Sequence, residues 1–381
     1  MTRDLRILSF ALLTWGIGES FFIYTQTLYM ASLGADAVGI GAILAMASFV
    51  LTLSHIPAGL LADRIGSRGI IRFNWVLSLA AAALMYLAPG LTVFTVGIVL
   101  YQFTGFVLSP LSAHITTARG KWTSVRALTT VYAMFNLGGF IGSTLGWLVG
   151  ESMTLRGGYG AAMGFFAMST LAVLFLSDQR VAMQGVSGDV ASLTGRKRLM
   201  RMLGLAALML FATFLSWPLT ANFLQEVRGV QTGQIRLFGA FNSLGMAILS
   251  LWFGGSENRK GLLSSQLLVG ISTALLWLGR GFILLGAGYF LAGSFRALRS
   301  ILAAWVEQLV SPRNQGLAFG ILETLGGLTL TLAPIAAGAL YTLSPELPYP
   351  VSLSLTAISV WLTWSWLSGQ NSSQESQRRS A

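Results

Sequence analysis

The chain contains no cysteine and only 2 histidines in 381 residues. Disulfides, iron–sulfur clusters and thiolate metal sites are thereby excluded, and two imidazoles leave little for a metal cage. Charge is scarce as well: Asp, Glu, Lys and Arg together make up 10% of the residues, against about 25% in soluble domains. There is no phosphate-binding glycine loop of the Walker type, no Gly-x-Ser-x-Gly elbow and no spaced cluster of histidines and carboxylates. ATP hydrolysis and the familiar catalytic constellations are therefore not encoded, no cofactor or metal is expected, and an enzyme is not the expected reading. Nor is this the composition of a soluble domain, a disordered tail or a fibrous repeat.

What fills the space is apolar sequence. Hydrophobic residues make up 54%, arranged in runs at 6–32, 37–61, 70–89, 91–116, 126–149, 158–177, 200–223, 235–254, 262–279, 281–307, 315–342 and 349–368. A helix needs about 20 apolar residues to cross the hydrocarbon of a bilayer. Open sheets cannot span lipid, and a barrel shows weak alternation rather than continuous runs. The expected fold is an all-α integral membrane protein with twelve transmembrane helices and both termini on one side. The first run carries no small-residue cleavage site and reads as a retained anchor.

The net charge of +11 follows from topology. Of the 24 lysines and arginines, Arg156, Arg228, Arg236 and Arg280 fall on the side opposite the termini, and Arg296 and Arg299 fall inside a span. The rest gather on the terminal side. By the positive-inside rule both termini are cytoplasmic, in a multi-pass protein of the cell membrane, and the basic balance is no nucleic-acid footprint.

The longest polar interruption, Asp178–Arg198, divides the runs into two sets of six. Tyr101, Gly105 and Gly138-Gly139 recur at one constant spacing as Tyr289, Gly293 and Gly326-Gly327. A shared offset across two spans predicts two homologous halves. The expected organisation is a six-helix bundle over 1–180, a cytoplasmic linker over 181–196, a second six-helix bundle over 197–370 and a cytoplasmic tail over 371–381.

Between the second and third runs stands Gly59-Leu60-Leu61-Ala62-Asp63-Arg64-Ile65-Gly66-Ser67-Arg68-Gly69-Ile70-Ile71-Arg72. Glycines such as Gly59 and Gly66 permit close helix approach and a tight turn. An acid such as Asp63 suits a helix N-terminus, and Arg64 and Arg68 can bind carboxylates or lipid phosphates. This stretch resembles the signature loop of the major facilitator superfamily, G-x-L-a-D-r-x-G-r-k. The resemblance implies two pseudo-symmetric six-helix bundles, alternating access, and a cytoplasmic gate in which Asp63 engages the start of the eleventh helix near Asn314–Gly316. The alternative is that the arginines merely enforce topology, which alone would not demand the glycines and the Asp. The matching stretch of the second half, Gly254–Gly261, is a degraded copy. The family's fourth-helix arginine falls near Tyr101 or Gln102, neither of them basic. Its fifth-helix antiporter motif appears as Gly138–Gly146 with Ser143 in the proline position.

Ionisable residues within apolar runs are costly and usually face a cavity or a partner. Glu19 lies near the middle of the first run, with Gln26 seven positions later on the same helical face. In the resembled family, helices one, four, seven and ten line the central cavity, which implies that Glu19 faces substrate. A buried carboxylate there takes up a proton or binds a cation; alternatively it is a structural acid bonded to a neighbouring helix. Arg299 in the tenth run and Glu323 in the eleventh have matching depths, predicting an intramembrane ion pair. Arg296, three positions earlier, is then the spare cation, with an anionic substrate group as its candidate partner. Gln102, Asn136, Asn222 and Asn242 are substrate contacts or interhelical glue. His55 and His114 sit near helix ends and read as interfacial. Trp15 and Trp217 are candidates for a pocket wall. Pro110, Pro218 and Pro334 predict bends.

The expected function is that of a secondary transporter moving a small solute across the bilayer. A proton or cation gradient drives it, Glu19 is the coupling acid, and Gln26, Gln102, Asn222, Arg296 and Arg299 stand in or near the cavity. Proton-coupled export of small or amphipathic compounds is the first form of that reading. Uptake of an anionic metabolite with protons is the second. A non-transporting sensor or assembly protein on the same fold belongs to a different class. The family expectation is a monomer.

Overall fold

The computed structural model describes residues 1–178, 197–253, 259–310 and 315–379, with the side chains of 55–66, 109, 125, 151, 259, 307, 315–317 and 367–379 outside the description. Among the described residues the structure is helical, with no strand. Eight stretches are long and apolar enough to cross a membrane. The expected linker 181–196 lies outside the described residues. The last helix continues to Arg379, through the stretch expected as a polar tail.

The first run is two helices, α1 (Arg3–Ser20) and α2 (Gln26–Ser32), separated by turns. Backbone helix α3 (Ala37–Leu87) then carries two apolar stretches, Ala37–Ser54 and Ser67–Leu87. Ile40 and Met85, from its opposite ends, join one buried cluster, so the two stretches fold back on each other. Gly59–Arg72, expected as a loop, is helical in backbone. After it come α4 (Leu91–Phe103), a 3-10 turn Thr104–Val107, α5 (Leu108–Thr117), α6 (Ser124–Val149) and α7 (Leu155–Val173). Beyond residue 196 lie α8 (Lys197–Ser216), α9 (Thr220–Glu226), α10 (Thr232–Phe253), α11 (Arg259–Leu278), α12 (Gly281–Ala292), α13 (Ser294–Gln308), α14 (Gln315–Leu343) and α15 (Pro348–Arg379).

The repeat in the sequence has a structural counterpart. Gly105 sits in the 3-10 turn that breaks α4 from α5, and Gly293 separates α12 from α13. The break between α1 and α2 is matched by the one between α8 and α9, where Pro218 has no N–H to continue the ladder. The glycine pairs divide their work in the same way in both halves. Gly138 meets the Leu13 backbone and Gly326 faces Leu210, each within its own half. Gly139 and Gly327 instead face Ser243 and Thr52 across the divide.

Charged side chains close helix ends, whose last carbonyls lack partners within the helix. The Arg156 Nε donates to the Tyr86 carbonyl at 2.7 Å, near the end of α3. Conversely, Arg72 donates to the Leu174 carbonyl and, at 3.1 Å, to that of Leu176 just past α7. These two antiparallel elements thus cap each other. His114, expected at an interface, is 0% exposed, with Ser67 Oγ 3.1 Å from its Nδ1 and Asp4 Oδ2 3.3 Å from its Nε2. Asp4 in the first turn of α1 supplies the acceptor that makes burial tolerable.

Three apolar clusters reveal how the halves sit. The cluster on the terminal side of residues 1–178 runs through Leu5, Ile71, Ile115 and Leu176 and includes no residue beyond 196. Its counterpart, through Leu199, Leu262, Leu302 and Leu322, includes none before 197. The third cluster combines Tyr29, Ile40, Phe94 and Tyr159 with Phe223, Ile235, Leu285 and Tyr349 from the far side of both halves. The halves therefore share a core on the far side and keep separate cores on the terminal side.

Candidate functional site

A cavity of about 350 Å³ lies between the halves. It is lined from α1 and the turn after it by Glu19, Ser20 and Tyr24, from α6 by Phe135, Asn136 and Gly139, and from α10 by Asn242, Ser243 and Met246. Phe214 of α8 and Trp217 in the break after it complete the wall with Phe295 and Arg296 of α13. The shared cluster shuts the far side, and Gly139 lets α6 come close to Ser243 of α10. The wall is predominantly apolar and aromatic, with a few converging polar groups, which is the usual chemistry of a small-molecule site.

Glu19 is half-buried, and its Oε1 accepts the Tyr101 hydroxyl at 2.7 Å. The Tyr101 ring is fixed by stacking 6.3 Å from Trp15 and 5.9 Å from Phe166, centroid to centroid. Tyr101, one of the two positions near which the resembled family's fourth-helix arginine falls, is thus a neutral donor aimed at the acid. Trp15, expected as a candidate pocket wall, is instead packed 4.3 Å from Phe166 and 5.1 Å from Trp75. Trp217 does line the cavity, its ring 5.4 Å from Tyr289.

Arg296 is exposed into the cavity and its side chain makes no hydrogen bond or ion pair among the described residues. It lies close enough to Glu19 and Tyr24 to interact with them electrostatically. Arg299, one helical turn on, donates to Glu323 Oε2 at 2.6 Å, with both side chains partly exposed. That pair lies away from the cavity wall. Asn242, a contact or glue candidate, does both: Tyr24 donates to its Oδ1 at 3.1 Å, and its Nδ2 donates to the Tyr289 carbonyl at 2.9 Å. Asn136 lines the cavity with no hydrogen bond to its side chain among the described residues.

Gln26, Gln102 and Asn222 do not line it. Gln26 was expected on the face of Glu19 by continuous helical spacing, and the turns at 21–25 end that spacing. Gln26 is buried in α2, Gln102 is half-buried in α4, and Asn222 is buried in α9. Tyr24 and Phe135, which sequence reasoning did not single out, do line the site. The signal for Phe135 was the adjacent glycine pair, since close helix approach there fixes what the preceding turn presents.

In the gate motif, the side chains of Gly59, Asp63, Arg64 and Gly66 lie outside the description, and so do residue 314 and the side chains of 315 and 316, where the Asp63 partner is expected. Arg68 is described, and its Nη2 lies 3.8 Å from Asp178 Oδ2 beyond the end of α7, an exposed pair of modest energetic weight. Arg236, expected on the side opposite the termini, is 1% exposed. Its Nη1 and Nη2 donate to the Gly150 and Met153 carbonyls at 3.2 and 3.1 Å, so it reaches from α10 across the divide to the end of α6.

Residues 202–381 match the family model described as Major Facilitator Superfamily. No curated protein matches the sequence. Among solved structures, a mutant of the nucleoside transporter NupG is 15% identical with a TM-score of 0.81, covering 96% of this chain and 99% of that one. The human organic anion transporter MFSD10 (TETRAN) is 17% identical with a TM-score of 0.67, over 95% and 99% of the two chains. A mutant of the peptide transporter POT is 15% identical with a TM-score of 0.76, over 97% and 94%. The fold of the whole chain is the one these proteins share. The match to the Major Facilitator Superfamily model lies within the second half of that shared fold.

Proposed function

We propose that this chain is a secondary transporter of the major facilitator superfamily that carries a small anion with an apolar body, together with a proton, by alternating access around the cavity at Glu19 and Arg296. The observation that carries this reading is Arg296 standing in the cavity without a hydrogen-bond or ion-pair partner among the described residues, opposite an acid held by Tyr101. An unpaired guanidinium in an apolar site favours an anionic ligand, for which its planar fork gives two parallel hydrogen bonds. With Glu19 ionised, the cavity holds one negative and one positive group. An anion on Arg296 then leaves Glu19 without compensation, and a proton on Glu19 restores the balance. Anion and proton therefore travel in the same direction. The aromatic wall of Phe135, Phe214, Trp217 and Phe295 suits the apolar body of the solute. Positive-inside orientation makes the terminal side cytoplasmic, so the described state, with its halves joined on the far side, is inward-facing.

The apolar wall and its one acid also favour a second reading, export of an amphipathic cation in exchange for a proton at Glu19. A thermal-shift panel of organic anions, lipophilic cations, sugars and amino acids on purified protein separates the two. A ligand at about 100 times its Kd adds roughly 2.7 kcal/mol of stability. Stabilisation by anions supports the first reading, stabilisation by lipophilic cations the second. Silence across the panel, with no solute gradient formed in vesicles, would favour a non-transporting protein. For coupling, Glu19→Gln in reconstituted vesicles is expected to bind the solute but lose accumulation driven by a pH gradient. Accumulation that still follows the gradient would remove Glu19 from coupling.

A further inference from the structure

On the far side, three of the four arginines serve backbone carbonyls at helix ends: Arg156 at Tyr86, Arg236 at Gly150 and Met153, and Arg228 at Trp277. Arg280 is different. It is exposed, and its side chain makes no hydrogen bond or ion pair among the described residues. It lies in a separate cavity of about 480 Å³ between the turn Val227–Val230 and the turn Gly279–Gly281. Arg228 lines the same cavity, its guanidinium 5.3 Å from the Phe223 ring centroid and its Nε buried without an acceptor. Helix α12 starts directly after Arg280, which caps it with no side-chain hydrogen bond, so the first N–H groups add positive character beside the two guanidiniums. No acid lines this cavity among the described residues. The nearby carboxylates are engaged elsewhere: Glu226 accepts from Tyr341 at 2.7 Å and Glu346 from Trp277 at 3.1 Å.

The remainder of the lining is largely apolar, with Val230, Phe238, Phe282 and Leu285. Immediately outside it, Ile283 is 81% exposed and Leu284 is also exposed. These residues begin the apolar stretch Gly281–Val306, which sets the two arginines at headgroup depth and the exposed aliphatic side chains at acyl depth. Two guanidiniums and an open helix start form a donor set for phosphate oxygens.

We infer that this cavity binds the phosphodiester headgroup of a membrane lipid in the far leaflet, with Arg280 as its principal contact, Arg228 behind it, and an acyl chain along Ile283 and Leu284. The bound phosphate ties the turn after α9 to the turn before α12. Beyond those turns lie Trp217 and Arg296 of the central cavity, so the lipid steadies the far ends of elements that the transport cycle must move.

The absence of cysteine gives a test without background. Ile283→Cys is introduced into the full chain in vesicles containing phosphatidylglycerol with a thiol-reactive acyl chain, and the adduct is measured by mass spectrometry. Arg280→Ala in that background is expected to lower the yield about tenfold, the scale of one charge-assisted contact. Arg280→Lys is expected to recover part of it. A yield unchanged by Arg280→Ala overturns the site. If millimolar inorganic phosphate displaces the lipid, the phosphate chemistry stands but its source is soluble, and the lipid assignment fails. A soluble maleimide is expected to label the introduced thiol equally with and without Arg280→Ala, so that a lost lipid adduct is a lost contact and not a folding defect.

Discussion

Arg296→Ala is expected to weaken binding of the organic anion that best stabilises the protein by about tenfold to about 150-fold. A hydrogen bond to a charged group contributes about 1.5–3 kcal/mol, and each 1.4 kcal/mol is a factor of ten in Kd. The variant should fold and reach the membrane, because the Arg296 side chain has no hydrogen bond or ion pair among the described residues to lose. Arg299→Ala offers the contrast. It leaves Glu323 without its 2.6 Å partner and lies off the cavity wall, so its effect should be on stability with little on Kd. Arg296→Lys keeps the charge and loses the planar fork, and an intermediate affinity is expected. Isothermal titration on the three variants separates these outcomes. Unchanged affinity in Arg296→Ala would take the residue out of the binding site and leave the amphipathic-cation reading as the stronger one.

Much of this arrangement was legible before any coordinates. Composition and run length give the helical membrane fold, because the bilayer admits few alternatives. The glycine pairs and the residues Tyr101 and Tyr289 recur at one spacing in the sequence, and the structure adds what the pairs do: the second glycine of each faces the opposite half. Local spacing served less well wherever a helix is interrupted. Gln26 is periodic with Glu19 in sequence, yet the turns at 21–25 carry it out of the cavity. Trp15 and Trp217 look alike as apolar aromatics on corresponding runs, and only tertiary packing decides that one is stacked on Phe166 while the other faces the cavity. Charge counting located Arg236 on the far side but had no means of detecting that it is buried. A guanidinium can be interior when backbone carbonyls supply its partners, and no sequence pattern records which carbonyls stand opposite.

Arg236→Met is expected to move the protein toward a state open on the far side. The residue holds α10 of one half to the end of α6 in the other through two backbone carbonyls, at a position 1% exposed. Methionine fills much of the volume but donates nothing, so the part-buried Met153 carbonyl loses this donor while the Gly150 carbonyl keeps only the Met153 N–H at 3.3 Å. Each unsatisfied group costs about 1–3 kcal/mol, and the cost falls on the state in which water is excluded. When the halves part on that side, the same carbonyls meet water and the penalty vanishes. A differential of about 2 kcal/mol shifts the equilibrium between the two states roughly 30-fold. Spin labels on Ser152→Cys and Gln231→Cys, placed in a chain with no other cysteine, report the separation of the halves at that end. The distance distribution should gain a longer component in Arg236→Met, and transport should slow because return to the closed form is disfavoured. A distribution identical to that of the parent chain would mean that the shared apolar cluster, through Tyr29, Ile235 and Tyr349, closes the far side unaided. Arg236 would then be a helix cap and no latch.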